Sequence, residues 1–278
     1  MDENTLEYDI VTSCTPQYLP GLIALRNSIE YNMPNAKLTC FWYGQQRVDI
    51  ELPERITYIE EAPMPDVLGA GEEWRHGLKL GPDMYARLLI PRYFKTKAFY
   101  VDVDCLVLKD FSEVFEMDLE NHMTACVFRP HIGWVGGHEY DDMASGTFLV
   151  DCEKWRERKF TEECFQIMDD YAAGKVQRKF NVNVESVMSY AHRGAFAYLD
   201  PGYQNLTYYG ALSKQDFIAH FAGPKPWSVD GHDLSHLHVN YQDLWQAYYE
   251  FNTGMIKTLT RGIPEKRPDK PWDSRKQV

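Results

Sequence analysis

Two aspartates separated by one residue lie in the most apolar run of the sequence, AFYVDVDCLVLKD at residues 98–110. The run predicts one central strand, and because residues two apart in a strand point to the same face, Asp102 and Asp104 are expected side by side. Burying both carboxylates is costly unless a cation compensates for them, and oxygen ligands suit Mn²⁺ or Mg²⁺. An alternative interpretation ends the strand near Val101 and leaves both aspartates in an exposed turn.

Three further side chains, a histidine, a lysine and an arginine, could complete a site for a metal ion and a phosphate. In FIAHFAGPKPW (217–227), a predicted strand ends at His220 and a glycine–proline loop then carries Lys225. An imidazole completes a carboxylate metal site, and an ammonium neutralises a phosphate. Arg87, in the predicted helix before the D-x-D strand, suits bidentate contact with phosphate or sugar oxygens. Each also has a structural alternative: a hydrogen-bonded histidine, a solvated lysine and a surface ion pair.

An α/β fold with a largely parallel sheet is expected to position these groups. The run YDIVTSC (8–14) predicts a strand, residues 19–32 a helix, and residues 37–44 and 55–61 two further strands. Residues 83–94 predict a helix with Asp83 as its N-cap. Later strands are expected at 124–128, 147–152, 195–199 and 216–221, and later helices at 161–172, 182–191 and 241–251.

Composition narrows the class of protein. The 278 residues are 44% hydrophobic and 14% aromatic, which excludes disorder, and the net charge of −12 disfavours nucleic-acid binding. The sequence has neither an apolar run of membrane-spanning length nor the pattern of a signal peptide. None of the six cysteines forms a C-x-x-C pair, so buried, reduced thiols and a cytoplasmic location are expected.

The last 22 residues differ in charge from the rest. Residues 257–278 contain seven basic and three acidic side chains, and their prolines disfavour a regular helix. We therefore expect a catalytic domain over 1–256 followed by a basic tail. The tail is either a solvated terminus or a weak peripheral contact to an anionic membrane.

Taken together, these motifs resemble the family-8 retaining glycosyltransferases over residues 8–227. The helix YARLLIP precedes the D-x-D strand, and the late pattern H-x-x-G-x-K-P-W is present from His220 to Trp227. SGTFLVDCEKWRERKF is similar to a stretch that lies between them in the family. In VTSCTPQYLPGL, Tyr18 stands where family members pack a tyrosine on the nucleobase.

The resemblance implies a GT-A fold: a Rossmann-like, nucleotide-binding mixed sheet flanked by helices, with a nucleotide-binding half over about 1–110 and an acceptor-binding half over about 111–256. It implies that Asp102, Asp104 and His220 hold Mn²⁺, with Mg²⁺ as the substitute, against the diphosphate of a UDP-sugar. Lys225 would stabilise the charge on departing UDP. The implied donor-binding residues are Thr12, Tyr18, Arg87, Asp102, Val103, Asp104, Ser145, Glu185, His220, Gly223 and Lys225, of which Asp104, Glu185 and Lys225 are the catalytic candidates.

Three positions depart from the family pattern. Ser145 replaces an asparagine, Glu185 stands where glutamine is usual, and no acidic residue follows the first strand. Glu185 would stabilise an oxocarbenium-like transition state or briefly form a covalent adduct, or it would bind a sugar hydroxyl as glutamine does. Binding a sugar hydroxyl is the preferred role. The sugar is left open, as is the acceptor, which is a glycan, lipid or protein. A catalytically silent sugar-nucleotide-binding module and a nucleotidyltransferase-like enzyme are the alternatives.

Overall fold

The computed structural model describes residues 8–44, 53–60, 62, 81–129, 142–173, 175, 184–207, 211–223, 225–227 and 241–266. Strand β1 (Tyr8–Cys14) and helix α1 (Leu19–Asn32) begin and end at the predicted residues. Strands β2 (Ala36–Trp42) and β3 (Ile56–Glu60) follow within two residues of their predicted bounds.

The described residues contain seven further strands and six further α-helices. The strands are β4 (Lys97–Val101), β5 (Cys105–Val107), β6 (Thr124–Arg129), β7 (Asp142–Asp151), β8 (Ala197–Leu199), β9 (Asn205–Leu206) and β10 (Ile218–His220). The helices are α2 (Ile90–Tyr93), α3 (Cys152–Glu157), α4 (Phe160–Ala172), α5 (Val184–His192), α6 (Gln242–Tyr249) and α7 (Thr253–Arg261).

Two sheets form the framework of the described residues. The larger has seven strands in the order β3-β2-β1-β4-β7-β6-β8, and the smaller has three in the order β5-β10-β9. Strands β1 to β4 pair in parallel, whereas β7 is antiparallel to both β4 and β6. The sheet is therefore mixed, and helices flank it, which confirms the predicted fold class.

The predicted central strand over 98–110 is wrong, because the chain leaves the large sheet at Val101. Strand β4 ends there, and β5 begins at Cys105 in the smaller sheet, antiparallel to β10. Asp102 N donates to Gly146 O at 2.8 Å, and Cys105 N donates to Asp102 O at 3.1 Å, so the D-x-D segment is a turn between the sheets. The alternative that ended the strand near Val101 is confirmed in that respect, but Asp104 is buried rather than exposed.

The helix predicted over 83–94 is divided into two pieces. A 3₁₀ segment covers Pro82–Leu89 with Gly81, not Asp83, as its N-cap, and α2 follows. Pro91 has no N–H to donate to an earlier carbonyl, so an unbroken α-helix through it is disfavoured.

The start of the basic tail is helical, which corrects the expectation that a regular helix is disfavoured there. Residues 257–261 belong to α7, whose Ile256 is fully buried. The tail's first proline, Pro264, comes after the last residue of α7 and therefore does not interrupt it.

Hydrophobic side chains cover both faces of the large sheet, and a third cluster joins α1 to α6, α7 and the smaller sheet. All six cysteines are buried and free, as predicted. Burial raises the pKa of Cys14, Cys105 and Cys164 well above the usual thiol range, so these thiols are protonated in the metal-free protein. Among the described residues, no helix has the length and apolar character to cross a membrane.

Candidate active site

The candidate site lies where the two sheets meet, beyond the carboxyl end of β4. Strand order reverses next to this point, because β1 carries β2 and β3 on one side and β4 on the other. In open α/β sheets, ligands bind in the crevice that such a reversal creates at the carboxyl ends of the strands. The turn at residues 102–104 is in this crevice.

Asp102 is held by two donors from neighbouring elements. Arg87 Nη2 donates to Asp102 Oδ1 at 2.8 Å, and the Tyr100 hydroxyl donates to the same oxygen at 3.0 Å. Tyr100 was not among the predicted site residues, although the two-residue period of a strand places it on the same face as Asp102. The second oxygen, Asp102 Oδ2, faces His220 Nε2 at 3.7 Å.

Asp104 joins the imidazole and the ammonium that the sequence predicted. His220 Nε2 lies 3.2 Å from Asp104 Oδ1, and the Lys225 ammonium donates to Asp104 Oδ2. Burial alone would raise the pKa of Asp104, but the charges of His220 and Lys225 lower it well below its usual value. Burial likewise lowers the pKa of Lys225, and Asp104 more than reverses this, so both groups are charged.

Gln204 and Gly146 complete the surroundings of the imidazole. Gly146 lies in the SGTFLVDC stretch, whereas Gln204 belongs to no motif. The Gln204 side-chain amide lies 3.2 Å from His220 Nδ1. A Cβ at Gly146 would lie 2.6 Å from His220 Cε1 and 2.8 Å from Asp102 Oδ2. Only glycine therefore allows β7 to pass this close to both groups.

Arg87 is buried behind Asp102. Besides the ion pair, it donates from Nε to Met84 O at 3.0 Å and from Nη1 to Ser145 O at 2.5 Å. Its guanidinium also stacks over the Tyr100 ring at 4.4 Å. These contacts make Arg87 a positioning group for Asp102, and its contact with a donor molecule stays a prediction.

Ser145 and Glu185, two of the positions that depart from the family pattern, contact one another. Glu185 Oε2 accepts from Ser145 N at 3.2 Å and from Ser145 Oγ at 3.3 Å. Arg87 Nη1 lies 3.4 Å from Ser145 Oγ, which connects the pair to Asp102. The two replacements thus form one continuous polar network with the D-x-D turn.

Tyr18 lies at the opposite side of the turn, next to Trp227. Their ring centroids are 6.1 Å apart in an edge-to-face arrangement. A Cβ at Gly21 would lie 2.7 Å from Val103 O and 2.8 Å from Trp227, so α1 packs directly on the turn. Gly223 has a φ of 92°, which favours glycine where the chain turns back to bring Lys225 to Asp104.

Thr12 is the predicted donor-binding residue that the structure does not bring to this cluster. It is fully buried in β1, and its Oγ1 has no hydrogen-bond partner among the described residues. A direct side-chain contact between Thr12 and a bound donor would need β1 to become exposed.

The donor atoms at the site fit a divalent cation. Two carboxylates and an imidazole nitrogen face one another, and hard oxygen ligands with one nitrogen suit Mn²⁺ or Mg²⁺. The glycine at 146 leaves the space between Asp102 and His220 free of a Cβ. Cys105 Sγ also lies within 4.8 Å of ligand atoms of Asp104 and His220.

Comparison with known proteins gives a family and a fold. Residues 9–231 match the model of glycosyl transferase family 8. A Haemophilus influenzae protein, provisionally named a glycosyltransferase, is 29% identical over 100 residues, and the match spans 31% of this chain and 29% of that protein.

Solved structures with the same fold cover most of the chain. A galactosyltransferase, LgtC, in complex with donor and acceptor sugar analogues superposes with a TM-score of 0.67 at 17% identity, over 87% of this chain and 95% of that one. The apo form of the glycosyltransferase GlyE of Streptococcus pneumoniae gives 0.62 at 16% identity, over 91% of this chain and 64% of that one.

Proposed function

The chain belongs to glycosyl transferase family 8. From that premise we propose that it moves a hexose from a UDP-sugar to an acceptor hydroxyl, in a metal-dependent reaction that retains the anomeric configuration. The observation that carries this proposal is the meeting of Asp102, Asp104, His220 and Lys225 in one crevice. This is a set of groups suited to holding a cation and a diphosphate together.

Asp102, Asp104 and His220 would hold Mn²⁺, with Mg²⁺ as the substitute, and the bound ion would neutralise the diphosphate of the donor. Asp102 is prepared for this role because Arg87 and Tyr100 both donate to its Oδ1 and leave Oδ2 directed at His220.

Lys225 contributes the second cationic group. Its ammonium donates to Asp104 and lies 3.2 Å from Phe221 O, at the end of a flexible stem. When a diphosphate binds, the ammonium would turn from Asp104 to a phosphate oxygen. There it stabilises the charge that develops as UDP leaves. Tyr18 and Trp227 would offer aromatic surface to the nucleobase.

Retention follows if the acceptor attacks from the face that UDP leaves. A bond forms between the acceptor oxygen and the anomeric carbon while the bond to the β-phosphate oxygen breaks, and the hydroxyl proton passes to the departing phosphate. Glu185 and Ser145 lie beside the D-x-D turn through Arg87, so they would contact the transferred sugar.

A screen of nucleotide-sugars for nucleotide release, with and without Mn²⁺, tests the proposal and identifies nucleotide and sugar together. Release of UDP that needs Mn²⁺ and is lost in Asp104→Asn supports it. Asp110→Asn is the matched control, since Asp110 is exposed and caps the backbone at Ser112. Binding without release for every sugar would favour the silent binding module, and release of diphosphate from a nucleoside triphosphate would favour the nucleotidyltransferase.

We also propose that the basic residues 257–278 give weak peripheral contact to anionic membranes. Each basic residue near such a surface contributes about 1 kcal/mol. Because α7 extends to Arg261, the test variant keeps the helix and replaces Arg267, Lys270, Arg275 and Lys276 by glutamate. Flotation with phosphatidylserine vesicles should fall in this variant. Equal flotation of both proteins would contradict the membrane contact.

A further inference from the structure

We propose that Asp104, Cys105 and His220 form a thiophilic metal site that overlaps the manganese site, so that Zn²⁺ binds there in competition with Mn²⁺. The inference rests on the proposed function, because it concerns the same crevice. It adds a ligand, Cys105, that is absent from the hard set of Asp102, Asp104 and His220.

The first argument is the register of the smaller sheet. Cys105 is paired directly with His220 across the antiparallel strands β5 and β10. Residues opposite one another in such a pair project their side chains on the same face. Sγ of Cys105, a carboxylate oxygen of Asp104 and a ring nitrogen of His220 consequently all lie within 4.8 Å of one another.

The second argument is ligand chemistry. Zinc prefers thiolate and imidazole, with metal–ligand bonds of about 2.0–2.3 Å, whereas Mn²⁺ prefers oxygen ligands. His220 Nε2 and Asp104 Oδ1 are already 3.2 Å apart, which suits two ligands of one small cation. The sulfur of Cys105 lies within 4.8 Å of both groups and would bind the same ion as a thiolate, with the metal displacing the thiol proton.

The third argument is that both sites share residues. Asp104 and His220 belong to both sets, so one ion excludes the other. Asp102 belongs only to the hard set, where Arg87 holds its Oδ1 at 2.8 Å. Asp104, Cys105 and His220 are 8%, 1% and 5% exposed, so the soft set is shielded from water, which strengthens the metal–ligand interaction.

Cobalt spectroscopy of the full chain tests the assignment without relying on activity, because only a thiolate ligand gives Co²⁺ an intense sulfur-to-metal charge-transfer band. We expect the band in the wild type, its loss in Cys105→Ala and its retention in Cys164→Ala. Cys164 is an equally buried thiol in α4 and serves as the matched control. By titration calorimetry, Cys105→Ala should lower Zn²⁺ affinity by about tenfold or more, and more than it lowers Mn²⁺ affinity.

Several outcomes would overturn the assignment and leave the proposed function intact. Co²⁺ that binds the wild type without the band would do so, as would a band that persists in both Cys105→Ala and Cys105→Ser. Zn²⁺ that does not displace Mn²⁺ from the wild type would contradict the shared ligands without any variant. Failure of Co²⁺, Zn²⁺ and Mn²⁺ alike to bind would overturn both this inference and the metal dependence of the proposed function.

Discussion

The Gln204 side-chain amide lies 3.2 Å from His220 Nδ1, while the other ring nitrogen faces Asp104 at 3.2 Å. Thr147 Oγ1 has one proton, which it donates to Tyr203 O at 2.9 Å, and it also contacts the Gln204 amide at 3.1 Å. When His220 Nε2 binds a metal, Nδ1 carries the ring proton, so the amide presents its oxygen to Nδ1–H and its NH₂ to Thr147 Oγ1. A histidine that binds metal through one nitrogen is oriented by a partner on the other. Gln204 is therefore the residue that sets the direction of the predicted imidazole ligand.

Replacing Gln204 by leucine should weaken Mn²⁺ binding by about 10- to 100-fold, because the imidazole loses its orienting partner. Gln204→Glu should recover most of the affinity, since a carboxylate accepts from Nδ1–H when Nε2 binds the ion. Titration calorimetry measures both. Equal Mn²⁺ affinity in the wild type and the leucine variant would show that Gln204 only packs against His220.

Gly146→Ala should damage the site more than the fold. The added Cβ would lie 2.6 Å from His220 Cε1 and 2.7 Å from Gln204 Nε2, so these groups must move. Overpacking of this kind costs about 1–3 kcal/mol, and we expect Mn²⁺ affinity to fall about tenfold or more. Gly254→Ala is the control, because its nearest atom is 3.7 Å away. An alanine at 146 that leaves Mn²⁺ affinity unchanged would refute the predicted geometry.

Glu185→Gln should keep kcat within about tenfold of the wild-type value, because glutamine also offers an oxygen to Ser145 N and Oγ. Loss of a general acid–base group would instead lower kcat by about 100-fold or more. Steady-state kinetics with donor affinity measured separately decides between the roles. A collapse of kcat with donor affinity intact would instead assign Glu185 to the stabilisation of the transition state or to a covalent adduct.

His192 should make the fold sensitive to acid. It is buried between Trp155, Phe160 and Phe196, and burial followed by the charge of Arg158 lowers its pKa to about 3. The unfolded chain binds this proton near pH 6.5, so stability is complete above about pH 6.5 and is lost as pH falls towards 3.

Substituting His192 by phenylalanine removes this proton. The difference in unfolding free energy between wild type and His192→Phe should then change by about 1 kcal/mol per pH unit over that window. Chemical denaturation between pH 4 and pH 7 measures it, and parallel curves for the two proteins would be inconsistent with a neutral, buried His192.

The sequence predicted the bounds of helices and strands correctly where a local pattern of residues determines them. Helix α1 and strand β1 have the predicted bounds because apolar spacing and the flanking turn residues agree. The same pattern failed at residues 98–110, because β4 and β5 are both apolar. Their separation depends on hydrogen bonds that join the turn to Gly146 in β7 and to Phe221, directly after β10.

In the candidate site, too, some residues could be predicted from the sequence and others could not. Asp102, Asp104, His220 and Lys225 were found from the sequence because charged and titratable residues directly beside apolar runs are unusual and because they fall in recognisable motifs. Gln204 was not found, because it lies in a short 3₁₀ turn without a motif and reaches His220 only through the pairing of β9 with β10.

The measurement that tests the central claim most directly is the affinity of UDP, by titration calorimetry, with and without Mn²⁺ in the wild type and in His220→Ala. If the carboxylates and imidazole hold a cation against the diphosphate, Mn²⁺ should tighten UDP binding by about tenfold or more in the wild type, and that gain should disappear in the variant. UDP affinity that is the same with and without Mn²⁺ in the wild type would contradict the account.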